Sequence, residues 1–220
     1  MNNEELVRNL IKESYLTAPI LIEAFKVIDR GDFVPEEAKE NAYLNIALPI
    51  GYGQTISQPL TVAFMLELLQ PSYGEEILEI GSGSGWKTAL LAYVVSREEK
   101  EGFSKKEAGR VISVERIPEL KKMAEKNLSK YHFEEKAVKV LLGDGSRGAP
   151  ARMLPVGGFD KIIAGAAGET IPKAWKNQIK IGGRIVAPVK NSILVLEKTS
   201  KDGFETKEFF GFSFVPLVSN

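Results

Sequence analysis

From residue 76 onward the chain alternates short β-patterned runs with helix-patterned ones, and this alternation constrains the fold more than any other feature. Strand signals fall at 76–80, 111–114, 138–142, 159–164 and 184–189, with helical spacing at 88–96, 119–130 and 171–181 between them. Strands that alternate with helices imply a parallel sheet with crossover helices on both faces. The last segment differs: a run at 193–198, the turn Lys201-Asp202-Gly203 and a run at 204–215 predict an antiparallel hairpin closing one sheet edge. The expected class is α/β, a Rossmann-like doubly wound sheet, mostly parallel, with a C-terminal antiparallel hairpin.

An N-terminal helical extension precedes the sheet. Leu6, Leu10 and Ile11, then Ile20, Leu21, Ala24, Phe25, Val27 and Ile28, recur at helical spacing, and Gly31 is expected to stop the second run. Residues 48–59 hold two prolines and two glycines among small polar residues, which predicts an irregular loop, either a linker or a site. Residues 60–69 read as a helix with Val62, Met65, Leu66 and Leu69 on one face. The charged stretch 97–110 reads as a solvated helix end and loop. With no internal repeat or low-complexity linker, one domain over 1–220 is expected. It divides into an extension with its loop (1–59), a core (60–190) and a hairpin (191–220).

Composition narrows the chemistry. The chain has no cysteine and one histidine, which removes disulfides, thiolate nucleophiles, cysteine-based metal centres and two-histidine metal motifs; no metal site is expected. Lys plus Arg and Asp plus Glu both number 29, so the formal net charge is zero. That balance, without an aromatic-basic stripe, argues against a nucleic-acid partner. No run of about eighteen apolar residues occurs, and the N-terminus is polar rather than basic and then apolar, so no membrane partner is expected. A soluble cytoplasmic monomer is the expectation. The lone His132 follows a surface helix and reads as a surface residue.

The strongest local signal is Glu79-Ile80-Gly81-Ser82-Gly83-Ser84-Gly85, at a strand-to-helix junction. Glycines there permit a tight turn and close ligand approach, and a helix N-terminus offers free N–H groups. The dinucleotide fingerprint needs a glycine at position 86, which is Trp86, and the phosphate-loop ending Gly-Lys-Ser/Thr is absent. A plain tight turn is the alternative reading. Two further strand tips weigh against it: 111–114 runs into Glu115, placed to accept hydrogen bonds from a ribose diol, and 138–142 runs into Gly143-Asp144-Gly145, placed to receive an adenine amine. Glycine, Glu and Asp at successive strand tips describe an adenosine pocket. Helix capping by Glu115 and Asp144 is the bland counterpart. Trp86 could pack beside a ligand or simply lie buried under its helix.

On these residues the sequence resembles the protein-L-isoaspartate O-methyltransferase family, from about Phe33 to Leu217. The most specific match is Leu48-Pro49-Ile50-Gly51-Tyr52-Gly53-Gln54-Thr55-Ile56-Ser57-Gln58-Pro59. Others are Leu78-Glu79-Ile80-Gly81, Ser113-Val114-Glu115-Arg116-Ile117, Gly143-Asp144-Gly145, Phe159-Asp160 and Phe214-Val215-Pro216-Leu217. The resemblance implies a class I methyltransferase fold, S-adenosylmethionine as cofactor, and damaged proteins or peptides containing isoaspartyl residues as substrates. It implies Ser57 as the active-site residue. For the cofactor it implies Gln54, Thr55, Ile56, Glu79, Gly81, Ser82, Gly83, Gly85, Glu115, Asp144 and Gly145; for the peptide, Ile50, Tyr52, Ser57, Ala166 and Val215. The sequence departs from the family at Asn45 (usually aspartate), Ala47 (proline), Trp86 (tyrosine) and Gly165 (threonine), and the stretch 97–109 is longer than the usual connection.

The scarce histidine and absent cysteine are consistent with that chemistry. A substrate carboxylate with a reference pKa near 3.9 is ionised at neutral pH without a base. Ser57, with no base to activate it, reads as a hydrogen-bonding positioner rather than a covalent nucleophile. The competing expectations are a noncatalytic or altered-acceptor protein that retains the cofactor and, further off, an NAD-dependent oxidoreductase.

Overall fold

In the computed structural model, which describes residues 1–97, 107–133 and 137–218, seven strands form one sheet among the described residues. Helices α1 (Asn3–Lys12) and α2 (Pro19–Val27) open the chain. A small ribbon follows, β1 (Leu48–Gly51) with β2 (Gln54–Ile56), and then α3 (Pro59–Leu69). The sheet is built from β3 (Glu76–Ile80), β4 (Arg110–Glu115), β5 (Val138–Leu142), β6 (Phe159–Ala164), β7 (Ile179–Val189), β8 (Ser192–Lys198) and β9 (Phe204–Phe210). Between them lie α4 (Trp86–Ser96), α5 (Pro118–Leu128) and α6 (Lys173–Gln178).

The strand order is β5-β4-β3-β6-β7-β8-β9, parallel from β5 to β7 and antiparallel at β8 and β9. The chain leaves β3 toward β4 on one side and returns to β6 on the other. This reversal opens a crevice beyond the carboxyl ends of β3, β4 and β6, where ligands of open α/β sheets bind. Two buried apolar clusters cover the two sheet faces. One joins α1 to α5 through residues such as Leu6, Phe25, Leu66 and Leu90; the other gathers Phe159, Trp175 and Ile185 near α6.

Four expectations are corrected. Residues 48–59 are not irregular, because β1 and β2 pair antiparallel, Leu48 with Ile56 and Pro49 with Thr55. Proline fits a ribbon that lacks a further ladder, and Gly51, Tyr52 and Gly53, all at positive φ, make the turn. The second helix ends at Val27 and not at Gly31: Asp29 accepts a 2.7 Å hydrogen bond from the Gly31 N–H and starts a separate short turn. The helix expected at 171–181 spans only Lys173–Gln178, since Ile179 pairs with Phe159 to begin β7 and Lys198 Nζ donates to the carbonyls of Lys176 and Ile179. The last strand stops at Phe210, because Gly211 at φ +97° turns the chain away, and both Gly211 N–H and Phe212 N–H donate to the Asn191 carbonyl. The released segment returns to the crevice, where Ala167 N–H donates to Val215 O and Leu217 N–H to Ala167 O, both at 2.8 Å. Of the charged stretch 97–110, residues 98–106 lie outside the described residues, and Arg110 already belongs to β4.

Candidate active site

The glycine junction follows from backbone demands. Gly81 leaves β3 at φ +82° and Gly85 enters α4 at φ +96°, conformations that side chains resist. A Cβ on Gly85 would stand 3.2 Å from the Ala124 Cα, so α5 could not approach as closely. The loop is tied down by Gly81 N–H to Val114 O at 2.8 Å and by Asn127 Nδ2 to Ser84 O at 3.0 Å. Glu115 completes the tie: one carboxylate oxygen accepts from Gly83 N–H and the other from Ile117 N–H, each at 3.0 Å. A carboxylate offers about four acceptor positions, so capacity for a diol remains.

Against this loop lies a cavity open to solvent, about 960 Å³ with its mouth included. Its lining brings together Gln54, Thr55, Ile56 and Ser57 of the ribbon and its exit, Gly81, Ser82 and Gly83 of the glycine loop, Glu115 and Gly145 at two further strand tips, and Ala166 and Val215. The hydroxyls of Ser82 and Ser84 and the Trp86 indole N–H, from residues that line this cavity, are buried without hydrogen-bond partners among the described residues. Buried polar groups ordinarily find partners, so these orphaned donors and acceptors fit a polar ligand such as S-adenosylmethionine.

Other residues singled out from the sequence lie off the cavity wall. Glu79 is fully buried beneath it, with Thr88 Oγ1 2.5 Å from Oε2 and Lys87 Nζ 3.7 Å from Oε1; burial pushes its carboxyl up while Lys87 and Thr88 pull it down. Gly85 lies behind the loop. Asp144 accepts from the amide and hydroxyl of Ser146 and caps a short turn, the bland role considered for it. Ile50 is buried, with Cδ1 3.3 Å from where a Gly83 Cβ would stand, so it supports the loop from below. Tyr52 is exposed at the ribbon turn. His132 is exposed and lines neither cavity.

A second cavity of about 740 Å³ adjoins the first, lined by residues that include Ala47, Gln58, Thr61, Ser213 and Phe214. Thr55, Ser57, Gly165 and Val215 belong to both. Ser57 therefore stands where the two cavities meet. Asn45 helps hold this boundary: its Oδ1 accepts from Leu60 N–H and its carbonyl from Gln58 Nε2, both at 2.9 Å.

Pattern reading missed two residues. Arg30 is fully buried, and its guanidinium donates to the carbonyls of Ala42, Leu44, Ile46 and Ser57. It also lies over the Trp86 ring, 5.3 Å from its centroid. Burial lowers its pKa to about 10, so it stays charged at neutral pH. Nothing local distinguishes Arg30 from a surface arginine. Lys87 lines the first cavity and did carry a signal, a lone cation in the otherwise apolar stretch 86–95.

Comparison with known proteins agrees with this geometry. Residues 1–220 match the model of the family described as protein-L-isoaspartate(D-aspartate) O-methyltransferase. The protein-L-isoaspartate O-methyltransferase of Methanopyrus kandleri is 39% identical over 219 residues, covering 98% of this chain and 90% of its own. That of Ignicoccus hospitalis is 40% identical over 218 residues, covering 97% and 96%. Among solved structures, a chain described as a protein-L-isoaspartate O-methyltransferase superposes with a TM-score of 0.82 at 26% identity, covering 99% of this chain and 66% of that one. A Plasmodium falciparum chain in complex with S-adenosyl-L-homocysteine gives a TM-score of 0.82 at 21% identity, covering all of both chains, a likeness of fold.

Proposed function

This chain belongs to the protein-L-isoaspartate(D-aspartate) O-methyltransferase family, and from that premise we propose how its own residues carry the activity. It is a repair methyltransferase that uses S-adenosylmethionine to methylate isoaspartyl residues of damaged proteins. The observation that carries the assignment of roles is the pair of adjoining cavities that share Thr55, Ser57, Gly165 and Val215.

The first cavity takes the cofactor. Gly81, Ser82 and Gly83 hold it from below, Gln54, Thr55 and Ile56 from the side, and Glu115 and Gly145 at the nucleoside end. When bound, the cofactor supplies an electrophilic methyl group on a sulfonium. The second cavity takes the peptide, with Val215 on the shared boundary and Ala166 on the first cavity's side of it. An isoaspartyl link runs through the side chain and leaves a free α-carboxylate, which is ionised at neutral pH. Ser57 hydrogen-bonds that carboxylate and fixes its line of approach, a contribution of orientation rather than of proton transfer. The surrounding walls exclude water, which would otherwise stabilise the separated anion and cation and hold back their combination. Arg30, through the Ser57 carbonyl, keeps the positioning residue in place.

The test is incubation with methyl-labelled cofactor and two peptides that differ only in carrying isoaspartate or ordinary aspartate. Base-labile label on the isoaspartyl peptide alone supports the assignment. Cofactor binding without transfer would instead identify a noncatalytic member, and label on an unrelated acceptor an altered specificity.

A further inference from the structure

Lys87 has no part in the roles assigned above. Its side chain is 11% exposed, and it lines the first cavity. Most of the rest of α4 is buried, from Trp86 through Val95 apart from Lys87 itself. An ammonium in such surroundings is costly unless its charge and its three donors are met. The charge is met in part by Glu79, but at 3.7 Å the ion pair is long, and the facing oxygen Oε1 has no partner within hydrogen-bond distance among the described residues. Beyond Glu79, the ammonium has no hydrogen-bond partner among the described residues, so at least two of its three donors are unmet. Its position is equally specific. Nζ lies 3.2 Å from where a Cβ on Gly165 would stand, and that point is 3.4 Å from the Gly81 carbonyl. The ammonium thus sits between the ends of β3 and β6, in the first turn of α4, where the helix's free N–H groups add partial positive charge.

A cation with unmet donors facing a cavity calls for an anion, and the compounds that enter this site carry carboxylates. We propose that Lys87 is the carboxylate-binding residue of the cofactor chamber, pairing with the amino-acid carboxylate of S-adenosylmethionine. This rests on the function proposed above. Two features favour the cofactor's carboxylate over the peptide's. Lys87 lines the first cavity and not the second. An ammonium bonded to the attacking carboxylate would also stabilise its ground-state charge and oppose transfer, whereas the cofactor's carboxylate keeps its charge throughout. Glu79 then acts from behind, keeping Lys87 aligned.

Calorimetric titration with S-adenosylhomocysteine and with methylthioadenosine, which lacks the amino-acid arm, isolates this contact. In Lys87→Met the S-adenosylhomocysteine Kd should rise about ten- to a hundred-fold, as for loss of one charge-assisted hydrogen bond. The methylthioadenosine Kd should stay within about two-fold. Because Lys87→Met leaves Glu79 buried without its cation, the double variant Lys87→Met/Glu79→Gln is titrated alongside and should show the same selective loss. An unchanged S-adenosylhomocysteine Kd, or equal weakening of both ligands, would overturn the assignment. An unchanged S-adenosylhomocysteine Kd with a KM for isoaspartyl peptide raised about tenfold would overturn it in favour of the peptide's carboxylate. Wild-type protein that binds neither ligand would refute the cofactor reading of the cavity itself; tight wild-type binding without dependence on Lys87 refutes only this assignment.

Discussion

Replacing Arg30 by methionine, which keeps much of the volume and removes the guanidinium, should be among the most damaging single changes outside the ligand cavities. The side chain makes four hydrogen bonds, to Ala42 O at 2.5 Å, Leu44 O at 3.2 Å, Ile46 O at 2.9 Å and Ser57 O at 3.1 Å. Leu44 and Ile46 are 39% and 48% exposed, so water can take over their carbonyls at little net cost. Ala42 is buried and Ser57 half-buried, so these two carbonyls are the ones water replaces least readily. At about 1.5–3 kcal/mol for each hydrogen bond to a charged group, the loss is about 3–6 kcal/mol. For a chain of this length that corresponds to a Tm lower by roughly 8–16 °C, taking about 4 kcal/mol and 2–4 °C per kcal/mol. Arg30→Lys, which keeps the charge but not the fork, should lose about half as much. Thermal and denaturant unfolding of the three proteins gives the comparison, and kcat of the folded lysine variant gives the functional consequence. That kcat should fall while S-adenosylhomocysteine affinity stays within about two-fold, since the glycine loop is held by other bonds. A loss under about 1 kcal/mol in Arg30→Met, or a folded Arg30→Lys with unchanged kcat, would refute the view that this guanidinium fixes Ser57.

Ser57→Ala should lower kcat about a hundred-fold with S-adenosylhomocysteine affinity nearly intact, read from steady-state kinetics beside calorimetry; equal turnover would remove Ser57 from its role. Glu115→Gln turns one acceptor into a donor facing either Gly83 N–H or Ile117 N–H, so it should cost about 2 kcal/mol in urea unfolding and weaken S-adenosylhomocysteine about tenfold or more. Asp32 is pushed up by burial but pulled further down by hydrogen bonds from Lys130 and Tyr131, so its carboxyl sits below its ordinary value in the folded chain. Its contribution is therefore present above the unfolded value near 4 and lost as pH falls through the folded one. The stability difference between wild type and Asp32→Asn should be constant from about pH 5 to 8 and shrink below about pH 4; a difference independent of pH down to about 2 would contradict it.

The sheet was legible because its strands announce themselves locally: 76–80, 138–142 and 159–164 begin and end where the pattern places them. The elements misread are those whose limits depend on distant partners. Pro49 seems to forbid a strand until Thr55 is seen opposite it, and 204–215 looks continuous until Asn191 takes the amides of Gly211 and Phe212. The site divides in the same way. Gly81, Gly83 and Glu115 are marked by strand-tip position and line the cavity together. Asp144 carries the same mark, yet its side chain turns back on Ser146. Ile50 belongs to the most specific motif, and the alternation of the ribbon sends it under the loop rather than into the groove. Arg30 left no trace, because its meaning resides in four carbonyls spread over residues 42–57.

The central claim is that the boundary at Ser57 brings a cofactor methyl group to the free α-carboxylate of an isoaspartyl residue. A peptide carrying one isoaspartyl and one ordinary aspartyl residue, incubated with enzyme and S-adenosylmethionine and then fragmented in a mass spectrometer, tests it most directly. The predicted result is a single added methyl located on the isoaspartyl α-carboxylate. A methyl group on the ordinary aspartyl side chain, or on both residues alike, would contradict the account.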